Sequence, residues 1–113
     1  TPYTSGLVVE DEEQIRTFLK DGLGSLGYRV LTAAGGHEAL EICGSETDGI
    51  DVIVSDVVMP DMNGADFMKH ALPMQPAAVG IFMSDVLRGE FYTRSLNLGR
   101  AARVQRIDGI ERA

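Results

Sequence analysis

Apolar residues fall in short runs separated by stretches with helical spacing. Leu7 to Val9 form a run read as strand one, ending in Glu10, Asp11, Glu12 and Glu13. Asp11 is placed to cap a following helix, and acids after it suit the positive end of a helix dipole. Ile15, Phe18, Leu19 and Leu26 recur at helical spacing and predict helix one, with Gly27 as its stop. Tyr28 to Thr32 alternate as strand two, and Gly35 and Gly36 make a turn. His37 to Cys43 form helix two, with Ala39, Leu40 and Cys43 inward. Val52 to Ser55 are strand three. Its continuous β-branched run suits a strand buried on both faces, as in a parallel sheet. Ala65 to Leu72 form helix three, with Phe67, Met68, Ala71 and Leu72 as its apolar side, ended by Pro73 and Pro76. Val79 to Met83 are strand four, Gly89 to Leu98 helix four closed by Gly99, and Ala102 to Ile107 a weak strand five.

This alternation with short connections predicts an α/β fold with a doubly wound parallel sheet. The six residues after Ile107, DGIERA, leave the last helix missing or rudimentary. With 113 residues and no linker, repeat or low-complexity segment, residues 1–113 are expected to be a single domain.

Charge and composition narrow the function. The chain is 44% hydrophobic with net charge -7, which argues against the domain itself gripping nucleic acid and suits a cation-binding module. No apolar run approaches the ~20 residues of a membrane span, and no secretory signal opens the chain. Cys43 has no cysteine partner, which fits a reducing compartment and a cytoplasmic location.

Three acids fall at strand tips: Glu10 and Asp11 after strand one, and Asp56 after strand three. In a doubly wound sheet these strands are neighbours, and the carboxyl ends of the strands face the ligand crevice. Like charges brought together there require a proton or a cation. Hard oxygen ligands suit Mg²⁺, which takes one or two carboxylates and keeps waters. Any one acid alone reads best as a solvated loop residue or a cap; the set of three does not. Ser84, at the tip of strand four, adds a hydroxyl.

Glu10-Asp11, Asp56, Met59-Pro60, Asn63-Gly64 and Ser84, in the segments VVEDEEQIR, DVIVSDVVMPDMNG and IFMS, resemble the motif set of CheY-like response regulator receiver domains over about Leu7 to Ser84. The resemblance implies a flavodoxin-like five-stranded sheet of order 2-1-3-4-5. It implies Asp56 as the phosphoacceptor, taking a phosphoryl group from a sensor histidine kinase or phosphotransfer protein of a two-component phosphorelay. It also implies Mg²⁺ held by Asp11, Asp56 and the Val58 backbone carbonyl, with Glu10 acting through water and Ser84 as the switch hydroxyl. Such a module passes its signal to an output domain or effector by conformational change. It binds neither nucleic acid nor membrane directly, dimerisation is compatible with it, and its only catalysis is its own phosphorylation and dephosphorylation.

Beyond Ser84 the pattern departs from the family. The Lys expected at the end of strand five is absent: its position falls on Arg106, which reads equally as a solvated basic residue of a tail that also holds Arg100, Arg103 and Arg112, and the aromatic switch position falls on Arg103. A guanidinium keeps the charge but not the compact ammonium. A pseudo-receiver that keeps the fold and has lost switching is therefore the alternative. An aspartyl-phosphate phosphatase of the haloacid dehalogenase type wants a second Asp two residues after the nucleophile, where this chain has Val58. Gly22, Gly24 and Gly27 spell a dinucleotide fingerprint, but at the end of a helix instead of its start. His37 and His70 read as solvated helix residues, the methionines as core or loop packing, and Cys43 as a small buried apolar residue.

Overall fold

Strand and helix boundaries follow from which face of each segment is buried. The computed structural model describes residues 4–85 and 90–92. In chain order these are β1 (Thr4–Val9), α1 (Glu13–Ser25), β2 (Tyr28–Ala33), α2 (Gly36–Ser45), β3 (Val52–Asp56), α3 (Gly64–Met74), β4 (Val79–Asp85) and β5 (Glu90–Tyr92). The sheet order is β2-β1-β3-β4-β5. The first four strands are parallel, with Val8 paired to Thr32 and Val54, and Asp56 to Met83.

Alternate strand residues feed two cores, one on each face. Leu7, Val9, Ile53 and Phe82 pack with Ala39 and Cys43 of α2 and Phe67, Met68, Ala71 and Leu72 of α3. Val8, Val52, Val54, Ile81 and Met83 pack with Leu19 and Leu23 of α1. A strand segment covered on both faces must be apolar, which is why Leu7 to Val9 in β1, Val52 to Val54 in β3 and Ile81 to Met83 in β4 read as unbroken runs. Burying a leucine or phenylalanine contributes roughly 2 to 3 kcal/mol, and among the described residues Leu7, Ile53, Phe67 and Phe82 are essentially inaccessible.

The structure corrects several expectations in detail. Helix α1 buries Leu19 and Leu23 with Ile15 beside them, whereas Phe18 and Leu26 are exposed. The i, i+4, i+8 row meets the sheet; Phe18 lies off that row. The N-cap of α1 is Glu12, without a side-chain cap, so Asp11 does not cap it. Gly27 does mark the end of α1, two residues after Ser25, at φ +97°. Pro73 sits inside α3, which continues to Met74. Pro73 removes one hydrogen bond of the last turn, and Gln75 N–H still closes that turn on Ala71 O at 3.1 Å and Leu72 O at 3.2 Å.

The largest departure concerns the start of the expected helix four. Glu90–Tyr92 form a strand antiparallel to β4, pairing Phe82 with Tyr92 and Met83 with Phe91. Phe and Tyr favour strands, and β4 offers them an open edge. The rest of the expected helix, residues 93–98, and the expected strand at 102–107 lie outside the described residues.

Candidate functional site

The sheet order places β1 beside β3, so residues following Val9 and those at the end of β3 meet at one edge. Carboxylate oxygens of Glu10, Asp11 and Asp56 lie within 4.8 Å of one another. Glu10 is 1% exposed. Its backbone N–H donates to Ala33 O at 3.0 Å, extending the β1–β2 ladder and fixing the residue at the rim. Its Oε2 accepts from Glu12 N–H at 2.9 Å, while Oε1 is buried with no hydrogen-bond partner. Asp11 is exposed and Asp56 half-buried. The Arg16 guanidinium of α1 donates to Glu10 O at 2.8 Å and Asp11 O at 3.4 Å, holding the turn by its carbonyls instead of neutralising its carboxylates.

Burial, and then a proton-sharing contact with the Asp56 carboxyl, push the Glu10 carboxyl up to about 8. Burial, and then the charge of Asp11, also raise Asp56 above the ordinary carboxylate range. The cluster therefore holds a proton at neutral pH unless a cation replaces it. Three carboxylates with an oxygen each within 4.8 Å of the others, one of them buried, fit a hard divalent ion in place of that proton.

The loop after β3 is folded back tightly. Gly64 N–H donates to Val57 O at 2.9 Å, and Val58 pairs with Asn63 in an isolated antiparallel bridge. A Cβ on Gly64 would run into the Asp56 and Val57 backbone, so only glycine closes this loop. Asn63 Oδ1 caps α3, accepting from Ala65 N–H at 2.7 Å and Asp66 N–H at 3.4 Å. The sequence signal Asn63-Gly64 is thus one device: a helix cap followed by a close backbone approach. Val58, whose carbonyl is the expected third metal ligand, lies in this loop and is 78% exposed.

Ser84 lies in β4 next to Met83, the register partner of Asp56. Arg103 and Arg106 lie outside the described residues. Sequence reasoning missed Asp61. It accepts from Gly36 N–H at 3.0 Å and His37 N–H at 2.9 Å, and lies 2.8 Å from His37 Nδ1. These bonds hold its carboxyl well below the usual range. No local pattern announces a cap supplied from 25 residues away. His37 is consequently not merely a solvated helix residue; His70 is exposed, with its Nδ1 2.8 Å from Asp66 O in its own helix. Cys43 is buried, which pushes its thiol up to about 11.

A parallel sheet of order 2-1-3-4 with an acidic cleft at its strand tips is the architecture of a flavodoxin-like signalling domain. The model of the response regulator receiver domain matches residues 7–102, and the chain belongs to that family. Sensor kinase CckA of Brucella abortus (strain 2308) is 40% identical over 85 residues, 75% of this chain and 9% of that protein. The alkaline phosphatase synthesis transcriptional regulatory protein PhoP of Bacillus subtilis (strain 168) is 46% identical over 64 residues, 57% of this chain and 26% of that protein. This chain thus spans a small part of the length of both relatives. Among solved structures, the receiver domain of the hybrid histidine kinase CckA superposes with TM-score 0.65 at 38% identity, covering 69% of this chain and 72% of that one. The response regulator TrrA of Thermotoga maritima, solved in complex with Mg(2+)-BeF, gives TM-score 0.65 at 32% identity, covering 72% and 69%. The protein is a receiver domain of the two-component type, a class of signalling modules, and no helix among the described residues is long and apolar enough to cross a membrane.

Proposed function

We propose that Asp56 is the phosphoacceptor of this receiver, taking a phosphoryl group from a histidine kinase or phosphotransfer protein in the cytoplasm. The observation that carries the reading is the convergence of the Glu10, Asp11 and Asp56 carboxylates at adjacent strand tips, with Glu10 buried. An Asp56 carboxylate oxygen attacks the phosphorus in line, the phosphorus–nitrogen bond of the donor phosphohistidine breaks, and an acyl phosphate forms. The nitrogen leaves with the bonding electron pair and takes its proton from solvent. Asp11, Asp56 and the Val58 carbonyl would hold Mg²⁺, with Glu10 reaching it through water. Bound there, Mg²⁺ would keep the carboxylates ionised and offset charge on the phosphoryl oxygens.

The chain's own residues do the positioning. Glu10 is fixed by Ala33 O and Glu12 N–H, Asp56 by the end of β3, and the loop between Asp56 and α3 by Gly64. The hydroxyl of Ser84 would bond the phosphoryl group once formed. Catalysis is limited to the domain's own phosphorylation and dephosphorylation, and the single domain at residues 1–113 passes its state to an output domain or effector.

Arg106 in place of the family's Lys favours one second reading, a pseudo-receiver that interacts with proteins without switching. Treatment with acetyl phosphate and Mg²⁺ separates the two: the receiver takes up one phosphoryl group, and the pseudo-receiver takes up none. The phosphatase reading lacks its acid, because the position two residues beyond Asp56 is Val58.

A further inference from the structure

The tip of the β3–α3 loop is seated against the start of α2 by more than a single contact. Asp61 spans both free N–H groups of Gly36 and His37 and reaches the His37 ring. Gly35 and Gly36 leave room for this: a Cβ at position 35 would meet both Asp61 carboxylate oxygens at 3.0 Å. A Cβ at position 36 would overlap Met62 and stand 3.4 Å from Met59. Met59 is buried in the α2–α3 core and Met62 packs against it. Met59 is also tied back to β3, where Ser55 Oγ lies 3.8 Å from its sulfur. The loop is therefore closed at its base by Gly64 and at its tip by Asp61, and Val58 lies between the two fastenings.

We propose that Asp61 is a positioning residue for the acidic site: by fastening the loop tip to the α2 N-terminus, it presents the Val58 carbonyl to a divalent cation held by Asp11 and Asp56. The inference rests on the reading of Asp56 and its neighbours as a Mg²⁺ site. Asp61 itself touches neither cation nor phosphoryl group; its effect passes through the backbone from residue 61 to residue 58. An anion at a helix N-terminus is favoured by the dipole and by the free N–H groups there. The clamp accordingly needs a carboxylate for full strength, with asparagine a weaker substitute.

The test compares Mg²⁺ affinity by titration calorimetry in the parent, Asp61→Ala, Asp61→Asn and Arg29→Met. The last removes the Arg29–Glu46 pair, at 2.7 Å, and the Arg29 bond to Ser5, so it perturbs stability away from the cleft. Loss of a residue that orients metal ligands typically weakens binding 10- to 100-fold, and about tenfold is expected for Asp61→Ala. Asp61→Asn should fall between Asp61→Ala and the parent, and Arg29→Met should match the parent. In metal-free protein, amide exchange at Gly36, His37 and Gly64 should accelerate in Asp61→Ala, because the loop loses its tip and then its base. Asp61→Ala binding Mg²⁺ like the parent, or Arg29→Met weakening it equally, overturns the inference while leaving the site intact. A parent that binds no Mg²⁺ overturns the site reading and the inference with it.

Discussion

Replacing Glu10 by glutamine in metal-free protein should stabilise the fold near pH 8, although it removes a residue of the proposed site. Glu10 is 1% exposed, and burial beside Asp56 moves its carboxyl from 4.5 to about 8. An acid whose folded value lies above its unfolded value keeps its proton in the folded state after the unfolded chain has lost it. Stability therefore falls as pH rises from about 4.5 to about 8. Each pKa unit is worth about 1.4 kcal/mol, so the full interval sets a ceiling of roughly 5 kcal/mol. Water entry and relaxation at a strand tip reduce such figures severalfold, leaving about 2 kcal/mol. For a domain of this size that corresponds to roughly 8 °C in Tm. Glutamine keeps an acceptor for Glu12 N–H, which now bonds Glu10 Oε2, and its amide can donate to Asp56. Thermal unfolding in EDTA from pH 5 to pH 8.5 reads the effect directly. The parent should lose stability over that range, and Glu10→Gln should lose much less and melt higher at pH 8.5. Mg²⁺ should stabilise the parent more than Glu10→Gln and so narrow the difference, because the chain that binds the ion more tightly gains more linkage energy. A parent whose metal-free Tm is flat or rises from pH 5 to pH 8.5, or a Glu10→Gln variant that melts lower there, would refute the electrostatic reasoning.

Other perturbations separate the site from the scaffold. Gly64→Ala should cost about 1 to 3 kcal/mol by chemical denaturation and weaken Mg²⁺ binding, because its Cβ meets backbone that cannot step aside. Unchanged Mg²⁺ affinity in a folded Gly64→Ala protein would count against the loop's role. Gln75→Leu should cost about 2 to 3 kcal/mol in urea without altering Mg²⁺ affinity. Gln75 Oε1 accepts from Ile50 N–H at 2.9 Å, and Nε2 donates to Cys43 O at 2.7 Å and Glu46 O at 3.1 Å. Asp61→Ala should narrow the acid end of the stability profile. The Asp61 carboxyl is depressed in the folded state, so its contribution is present above about pH 4 and lost as pH falls further. A parent and variant with parallel acid unfolding curves would exclude that linkage. Beryllofluoride should shift amides around Asp11, Asp56 and Ser84 far more than those of residues 89–107, because no Lys follows Lys69 to give the active state the family's cationic contact. Equal shifts throughout residues 89–107 would show that a guanidinium suffices.

The parts of the fold legible in the sequence were those dictated by burial on two faces. Val52 to Val54 and Val79 to Met83 could belong only to covered strands, and Gly27 and Asn63-Gly64 marked real chain reversals. The first half of β1, Thr4 to Gly6, was not legible, because small polar residues there are strand only through pairing with Tyr28 to Val30. The α1 face was misjudged because Phe18 and Leu26 are apolar yet exposed, and Leu23 completes the buried row instead. β5 arises from an open sheet edge, which no local window contains. At the site, the convergence of Glu10, Asp11 and Asp56 was legible from strand order alone. The burial of Glu10 was not, since a run of four acids looks solvated. Asp61 was invisible for the same reason that Gln75 was: both act across 24 residues or more, on backbone groups whose need appears only after folding.

Whether Asp56 accepts the phosphoryl group is read from intact mass after incubation with acetyl phosphate and Mg²⁺. The parent should gain one phosphoryl group, EDTA should suppress the gain, and Asp56→Asn should gain none. An Asp56→Asn protein that labels as fully as the parent would contradict the account.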